Sequence, residues 1–397
     1  MIFDETSLYN IKSELYGTRY SLFELATWKN GIAFKKIDFS ETGRPVIKIA
    51  ELNNGINSNT AFTQGDYGEE VFVRRDDLLF SWSGNPQTSI DVFRYRLQDG
   101  WLNQHIFKVS ANESLVNKDY LYYILKFLKP HFTQIATNKQ TTGLGHVTIA
   151  DLKRMSLVVP AKEVQERIVS VLKAVDDKIE VNSNINENLQ QQAAALFSSL
   201  YDRSNTEVRF TDLIQILGGG TPKTGENTYW NGNIAFFTPK DVSMPYTLIT
   251  EKTITEEGLS HCNSRLYPVN TVLVTARGTV GKVGMSGIPM AMNQSCYALV
   301  GKETHQLLVY FYTLKAVDRL KHKASGAVFD AITTRDFESE QIMKLSDDDA
   351  TAFLRVAEPM FQEVLNNNIE NLRLSTLRDS LLPKLMSGEI DVSAVQL

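Results

Sequence analysis

The sequence predicts an α+β chain built from two pseudo-repeated globular domains joined by two long antiparallel coiled-coil helices. Three observations predict it. First, short motifs recur in the same order at a spacing near 190 residues. Leu79-Phe80-Ser81-Trp82-Ser83-Gly84 returns as Leu273-Val274-Thr275-Ala276-Arg277-Gly278, and Leu102-Asn103-Gln104 returns as Met292-Asn293-Gln294. Val147-Thr148 with Asp151-Leu152 returns as Ile332-Thr333 with Asp336-Phe337. The offset falls from 194 through 190 to 185, so the second copy has shorter loops in an unchanged order. A period this long is a duplicated domain and not a solenoid unit. Second, each copy closes on a long apolar seam of helical spacing. Third, the text before each seam mixes strand-like and helix-like runs, which makes the bodies α+β.

The elements follow in chain order. Residues 1–18 form an N-terminal segment, 19–160 the first body, 161–206 the first spacer helix, 207–345 the second body, and 346–397 the second spacer helix with a tail. Pro45–Ile49 and Asn233–Phe237 read as corresponding strands, as do Asp77–Ser81 and Thr271–Thr275, on β-branched and aromatic content. Leu121–Leu128 and Leu307–Tyr312 read as short buried helices.

The seams carry the sharpest signal. Ile168, Leu172, Val175, Ile179, Asn182, Asn186, Leu189, Ala193, Leu196 and Leu200 keep four-three spacing. Phe353, Ala357, Met360, Val364, Asn367, Asn371, Leu374, Arg378, Leu381 and Leu385 repeat it 185 residues later. Each seam is about 50 Å long at a helical rise of about 1.5 Å per residue. Both place two asparagines at the same positions, where a buried polar pair fixes register at a cost in stability. If the helices pack antiparallel about a local twofold, Asn182 faces Asn371 and Asn186 faces Asn367. Pro359 either begins the second helix or kinks it. Asp347-Asp348-Asp349 reads as the start of that helix, where the N-terminal dipole favours carboxylates.

Composition narrows the class. A chain of 397 residues predicts two or three domains, each large enough for its own core. The acidic start Met1-Ile2-Phe3-Asp4-Glu5 and the lack of a membrane-length apolar run argue against secretion and against the membrane. Two cysteines, Cys262 and Cys296, build no disulfide framework, so the reducing cytoplasm is the expected compartment. The net charge of −5 is unevenly spread. The bodies 19–160 and 207–345 carry +3 and +1, while 1–18, 161–206 and 346–397 carry −2, −2 and −5. That division permits DNA binding through the bodies alone, without demanding it.

Several motifs carry a family resemblance. Gly219-Gly220-Thr221-Pro222-Lys223, Tyr229-Trp230-Asn231-Gly232 and Phe237-Thr238-Pro239-Lys240-Asp241-Val242 look like the opening of a target-recognition domain. Ala276-Arg277-Gly278-Thr279-Val280-Gly281-Lys282, Met292-Asn293-Gln294 and Ser325-Gly326-Ala327 fit the rest of it. Leu377-Arg378-Asp379-Ser380-Leu381-Leu382-Pro383-Lys384-Leu385-Met386-Ser387-Gly388-Glu389-Ile390 resembles the closing helix of the specificity (S) subunit of type I restriction-modification enzymes. The first half carries a variant in Leu79–Pro86 and Trp101–His105, and the resemblance spans residues 19–390.

The resemblance implies a non-catalytic subunit with two target-recognition domains, each reading one half of a bipartite site in double-stranded DNA. The two helices set the gap and dock two methyltransferase (M) subunits, and motor-nuclease (R) subunits join for restriction. No cofactor is implied for this chain. S-adenosylmethionine, ATP and Mg belong to the partners, through which the complex acts as adenine-specific DNA methyltransferase and ATP-dependent endonuclease.

Candidate DNA contacts follow from side-chain chemistry. Arg277, in a glycine-bounded turn, suits a fork onto guanine worth roughly 1–3 kcal/mol, with a phosphate contact or a surface ion pair as equal alternatives. Trp82 and Trp230 either abut DNA or anchor loops. Lys139, Gln140 and Thr142, and Lys321, Lys323 and Ser325, suit backbone contacts or form plain solvated loops. Ser83, Asn85, Gln87, Thr221, Lys223, Lys240, Thr279 and Lys282 complete the set. Asn103-Gln104 and Asn293-Gln294 recur in both bodies, which favours a structural role.

No catalytic or metal set presents itself. Asn85-Pro86-Gln87 is not an amino-methyltransferase signature, and Gly278-Thr279-Val280-Gly281-Lys282-Val283 lacks the spacing and hydroxyl of a P-loop. The histidines and cysteines show no metal-ligand spacing. A diverged DNA-modifying enzyme with its own site, and a two-domain scaffold for non-DNA ligands, stay open beside the recognition subunit.

Overall fold

The computed structural model describes residues 4–140, 142–323 and 331–392. The chain forms two compact units, one of Met1–Asp177 with Leu374–Leu397 and one of Lys178–Arg373, so the division falls inside both long helices.

In the first unit a four-stranded antiparallel sheet has the order Ala26–Asn30, Ile106–Ala111, Leu78–Ser81, Asp91–Arg94. A second small sheet sets Arg44–Ile47 parallel to Gly100–Leu102, with Val46 opposite Trp101. The strand read as Pro45–Ile49 ends at Ile47, because Glu51 accepts from the Lys48 N–H at 3.0 Å and starts a helix at Ile49. The helix read as Leu121–Leu128 runs Lys118–Phe127, capped by Asn117, whose side chain accepts from the Asp119 and Tyr120 amides. A second helix, Lys129–Asn138, begins at once. Pro130 has no N–H to continue the first helix but suits the opening turn of another. Phe80, Phe132, Tyr120 and Ile124 fill the core together with Ile168, Leu172 and Leu385 from the long helices.

In the second unit a five-stranded sheet has the order Ile214–Gly218, Cys296–Gly301, Val272–Thr275, Val283–Ser286, Tyr246–Thr247. Trp230–Phe237 runs parallel to Met290–Met292, with Phe237 opposite Met292. This matches the pairing of Ile47 with Leu102 in the first unit. The helix read as Leu307–Tyr312 spans Gln306–Lys323, because Ala316, Val317 and Leu320 continue its buried face. Phe197, Phe311, Phe353 and Phe361 pack ring on ring beneath it, with centroids 4.9–5.5 Å apart for the contacting pairs.

The long helices are Lys162–Tyr201 and Asp347–Ser387, each near 60 Å at about 1.5 Å per residue. The second begins at Asp347, with Ser346 accepting from the Asp349 amide at 3.1 Å. It runs through Pro359, which therefore does not begin it. Within the second unit the helices cross antiparallel at the expected pairs. Asn182 Nδ2 donates to Asn371 Oδ1 at 2.9 Å, and Asn367 Nδ2 donates to Asn186 Oδ1 at 2.9 Å. Glu370 and Asn368 accept from Asn182 and Asn186 respectively, which extends the polar layer. The seam arginine of the first unit, Arg378, pairs with Asp176 at 2.9 Å.

Candidate nucleic-acid interface

In each unit three neighbouring strands of one sheet end side by side, and the ladder register makes their last residues equivalent. In the first unit Asn30 pairs with Phe107 and Ile106 with Ser81. Trp82 follows, its N–H donating to the His105 carbonyl at 3.3 Å while its own carbonyl accepts from Val147 at 2.9 Å. In the second unit Gly218 pairs with Tyr297 and Thr275 with Cys296. Ala276 follows, donating to the Ser295 carbonyl at 2.8 Å and accepting from Ile332 at 2.9 Å. The same backbone bonds thus hold both strand ends.

The repeated asparagine belongs to this frame. The Asn103 N–H donates to Ile47 at 3.0 Å, and the Asn293 N–H donates to Phe237 at 2.9 Å. A Cβ on Gly31 would lie 2.3 Å from the Asn103 carbonyl oxygen, and one on Gly219 would lie 2.1 Å from that of Asn293. Only glycine lets the backbones approach so closely. The Asn103 and Asn293 backbones thus hold the same place in both frames.

Two loops converge on each strand end. In the first unit Ser83–Gly84 pairs with Gly145–His146, which brings Ser83 and the loop carrying Gln140 and Thr142 together. Gln140 and Thr142 are exposed, and Thr142 sits at a φ of 50°. In the second unit Arg277 bridges to Ala331. Ser325 lies outside the described residues.

The individual candidates divide into two groups. Some are committed to the fold. Asn85 Oδ1 accepts from the Gln87 and Thr88 amides at 2.9 and 3.3 Å and closes a turn. Gln87 is exposed at the rim of a cleft of about 840 Å³ with Tyr122, Lys126, His131 and Arg378. Lys139 lies 2.6 Å from both oxygens of buried Asp151. Burial pushes that carboxyl up, but the Lys139 and Thr148 hydrogen bonds outweigh it and hold it below the usual carboxylate range. Lys323 pairs with buried Glu340 at 2.5 Å, where Arg319 also binds. Thr221 donates to Gln294, and Thr279 donates to the Pro239 carbonyl at 3.0 Å. Trp230 Nε1 donates to the Lys223 carbonyl at 3.1 Å. The Lys223 side chain is left exposed.

Others face outward. Arg277, Lys282 and Lys321 are exposed and have no carboxylate partner among the described residues. Lys240 reaches Glu251 only at 3.9 Å. Lys240, Arg277 and Thr279 meet Lys252, Asn293 and Ser295 around a pocket of about 420 Å³. Lys252, whose Nζ also lies 5.6 Å from the Trp230 ring centroid, was not legible as a site residue. In the first unit the equivalent ground is occupied by rings and amides. Trp82 stacks on Phe107 with centroids 5.6 Å apart, lies 5.8 Å from His105, and donates through Nε1 to Asn30 Oδ1 at 2.9 Å. Asn30 and His105 were also missed. Their one sequence signal was their place beside Gly31 and Gln104, which match Gly219 and Gln294.

No group of three or more His, Cys, Asp or Glu side chains is arranged to hold a metal among the described residues. No described helix is long and apolar enough to cross a membrane.

Two units that share a frame and differ in the side chains at the same strand ends define a duplicated two-domain protein. The particular family follows from the sequence. The family model described as type I restriction modification DNA specificity domain matches residues 18–191 and 203–344, and the chain belongs to this family of specificity subunits, whose function is recognition of DNA sequence in type I restriction-modification. The chain is 23% identical over 408 residues to the type I restriction enzyme HindI specificity subunit of Haemophilus influenzae, covering 80% of this chain and 87% of that one. It is 32% identical over 127 residues to the MjaIX specificity subunit of Methanocaldococcus jannaschii, covering 30% and 29%. Its fold is similar to the crystal structure of a type I restriction-modification S subunit from M. genitalium, with a TM-score of 0.56 at 14% identity, covering 95% and 97%.

Proposed function

We propose that each unit reads one half of a bipartite DNA target and that the paired helices fix the number of base pairs between the halves. The observation that carries this reading is the contrast between identical frames and different outward side chains at the strand ends. Two readers on a stiff helical spacer turn a fixed protein length into a fixed base-pair spacing, and tethering adds avidity. The helices also dock two methyltransferase subunits, with motor-nuclease subunits joining for restriction. The chain supplies recognition alone. S-adenosylmethionine, ATP and Mg are held by the partners, and the complex works in the cytoplasm. The names of the relatives, with the absence of a recognisable catalytic motif in the sequence, support this division of labour.

The contact residues we assign are Ser83, Gln140 and Thr142 in the first unit, and Lys223, Lys240, Arg277, Lys282 and Lys321 in the second. Base-resolution methylation mapping, in cells expressing this chain with its methyltransferase partner, tests the reading. The expected result is a split motif that is absent from cells with the partner alone. Methylation or cutting by the purified chain alone would reject it in favour of an enzyme. Failure of the complex to shift any duplex would reject it in favour of a non-DNA scaffold.

A further inference from the structure

The ladder register makes Asn30 equivalent to Gly218, Trp82 to Ala276 and His105 to Ser295. These three positions sit at adjacent strand ends of one sheet, and the backbone bonds of Trp82 and Ala276 match between the units. Their side chains are not. The first unit fills the spot with an amide, an indole and an imidazole. The second has small residues there, with open space where a Gly218 Cβ would point and a pocket beside Ser295. Divergence clustered at neighbouring strand ends on a shared frame is what two readers of different sequence require.

The chemistry of the cluster sets what it reads. An indole N–H donates and never accepts, so the Asn30 atom facing Trp82 Nε1 at 2.9 Å is the oxygen. That fixes the amide and turns Nδ2, a pure donor, away from the indole. Among the described residues Nδ2 has no acceptor, and Asn30 is exposed at the strand end. The His105 ring lies 5.8 Å from that of Trp82, and Gln104 Nε2 and His105 Nε2 are 3.3 Å apart. Trp82 is itself held by stacking on Phe107.

We propose that Asn30 is a specificity-determining residue of the first unit, donating through Nδ2 to a base-edge acceptor in the major groove, with Trp82 as the positioning residue that fixes its amide. The acceptor is a purine N7, a guanine O6 or a thymine O4. The inference rests on the reading of the chain as a bipartite DNA reader, and it adds the residue and the polarity of the contact.

The experiment uses the chain in complex with its methyltransferase partner and compares methylation of the cognate site with single-base variants in each half. N30A is expected to relax preference at one or two adjacent base pairs of one half-site by about 5- to 150-fold, the range a single good base contact supplies. N30D, which keeps the acceptor toward the indole and replaces the donor, should depress cognate methylation more than N30A does. W82F keeps the ring and removes the N–H, so it should relax the same base pairs while DNA affinity stays within about twofold. The triple variant N30G/W82A/H105S, which copies the second unit, should lose the preference of one half and leave the other intact. Unchanged base preferences in both N30A and W82F would overturn the proposal, as would equal relaxation in both halves. A wild-type complex that yields no split motif would instead remove the bipartite reading beneath it.

Discussion

The two units solve one packing problem with opposite chemistry. Where a recognition body meets the long helices in the first unit, Tyr123 donates to Asp176 at 2.7 Å and Arg378 pairs with the same carboxylate at 2.9 Å. Burial, with the nearby Asp176 charge, pushes the Tyr123 hydroxyl up and keeps it a donor. The equivalent seam positions 185 residues away are Phe361 and Ala193, and there the second unit closes on the ring cluster of Phe197, Phe311, Phe353 and Phe361. The same contrast holds at the proposed reading faces but with the signs exchanged. The first unit shows rings and amides, and the second shows Arg277, Lys282 and Lys321. A duplicated fold thus keeps its backbone bonds and is free to change what fills and what faces outward.

The largest expected effect tests the apolar side of the comparison. Phe361→Ala should destabilise the second unit by about 3–5 kcal/mol, the usual cost of truncating a buried aromatic ring. Hydrogen exchange resolved by unit should place the loss in Lys178–Arg373, and protection lost equally from both units would erase the contrast.

The ionic side should yield somewhat less. Arg378→Ala leaves Asp176 partly buried without its cation and should cost about 2–4 kcal/mol. The pair D176L/R378M, which makes this end apolar like the other, should recover most of that loss in denaturant titrations. If the double variant were no more stable than R378A, the two chemistries would not be interchangeable.

Acid should separate the units next. Burial lowers the His131 pKa to about 4, against about 6.5 when unfolded. Between those values the unfolded chain holds the proton and the folded unit does not, so protons favour unfolding. Stability from this group is complete above about pH 6.5 and is lost as pH falls toward 4. The second unit has no buried histidine among its described residues. His131→Gln should flatten the fall in the first unit's unfolding midpoint between pH 7 and pH 5, and an unchanged slope would assign it to carboxylates.

Two smaller effects concern the reading faces. Arg277→Ala should relax one half-site by roughly 1–3 kcal/mol of discrimination and leave the other half alone. Lys321→Ala should weaken binding evenly across sequences and lower the salt slope by about 1, as expected for one phosphate contact. A sequence-dependent loss for Lys321→Ala would move it from backbone to base contact.

Much of this is legible in the sequence. The duplicated motifs gave the two bodies, and matching seam positions gave the antiparallel helix pair down to Asn182 on Asn371 and Asn186 on Asn367. For the proposed contact face the sequence offers loops, and it does not show which of their side chains are already bound. Lys139 and Lys323 looked alike as basic loop residues, yet each is bound by a buried acid, Asp151 in one unit and Glu340 in the other. Those acids do not occupy matching positions in the repeat, so comparing the copies does not reveal them. Asn30 was silent because its partner Trp82 lies 52 residues away and reaches it only across the ladder.

The sequence by itself determined whatever repeats with a period: the duplication and the length and register of the helices. Periodic burial is a local property, because a helix or strand presents the same face at a fixed spacing wherever it lies. The tertiary structure alone decided which outward side chains are free. A charge or amide is available for DNA only if no neighbour has already satisfied it, and those neighbours are set by strand register and packing across the whole unit.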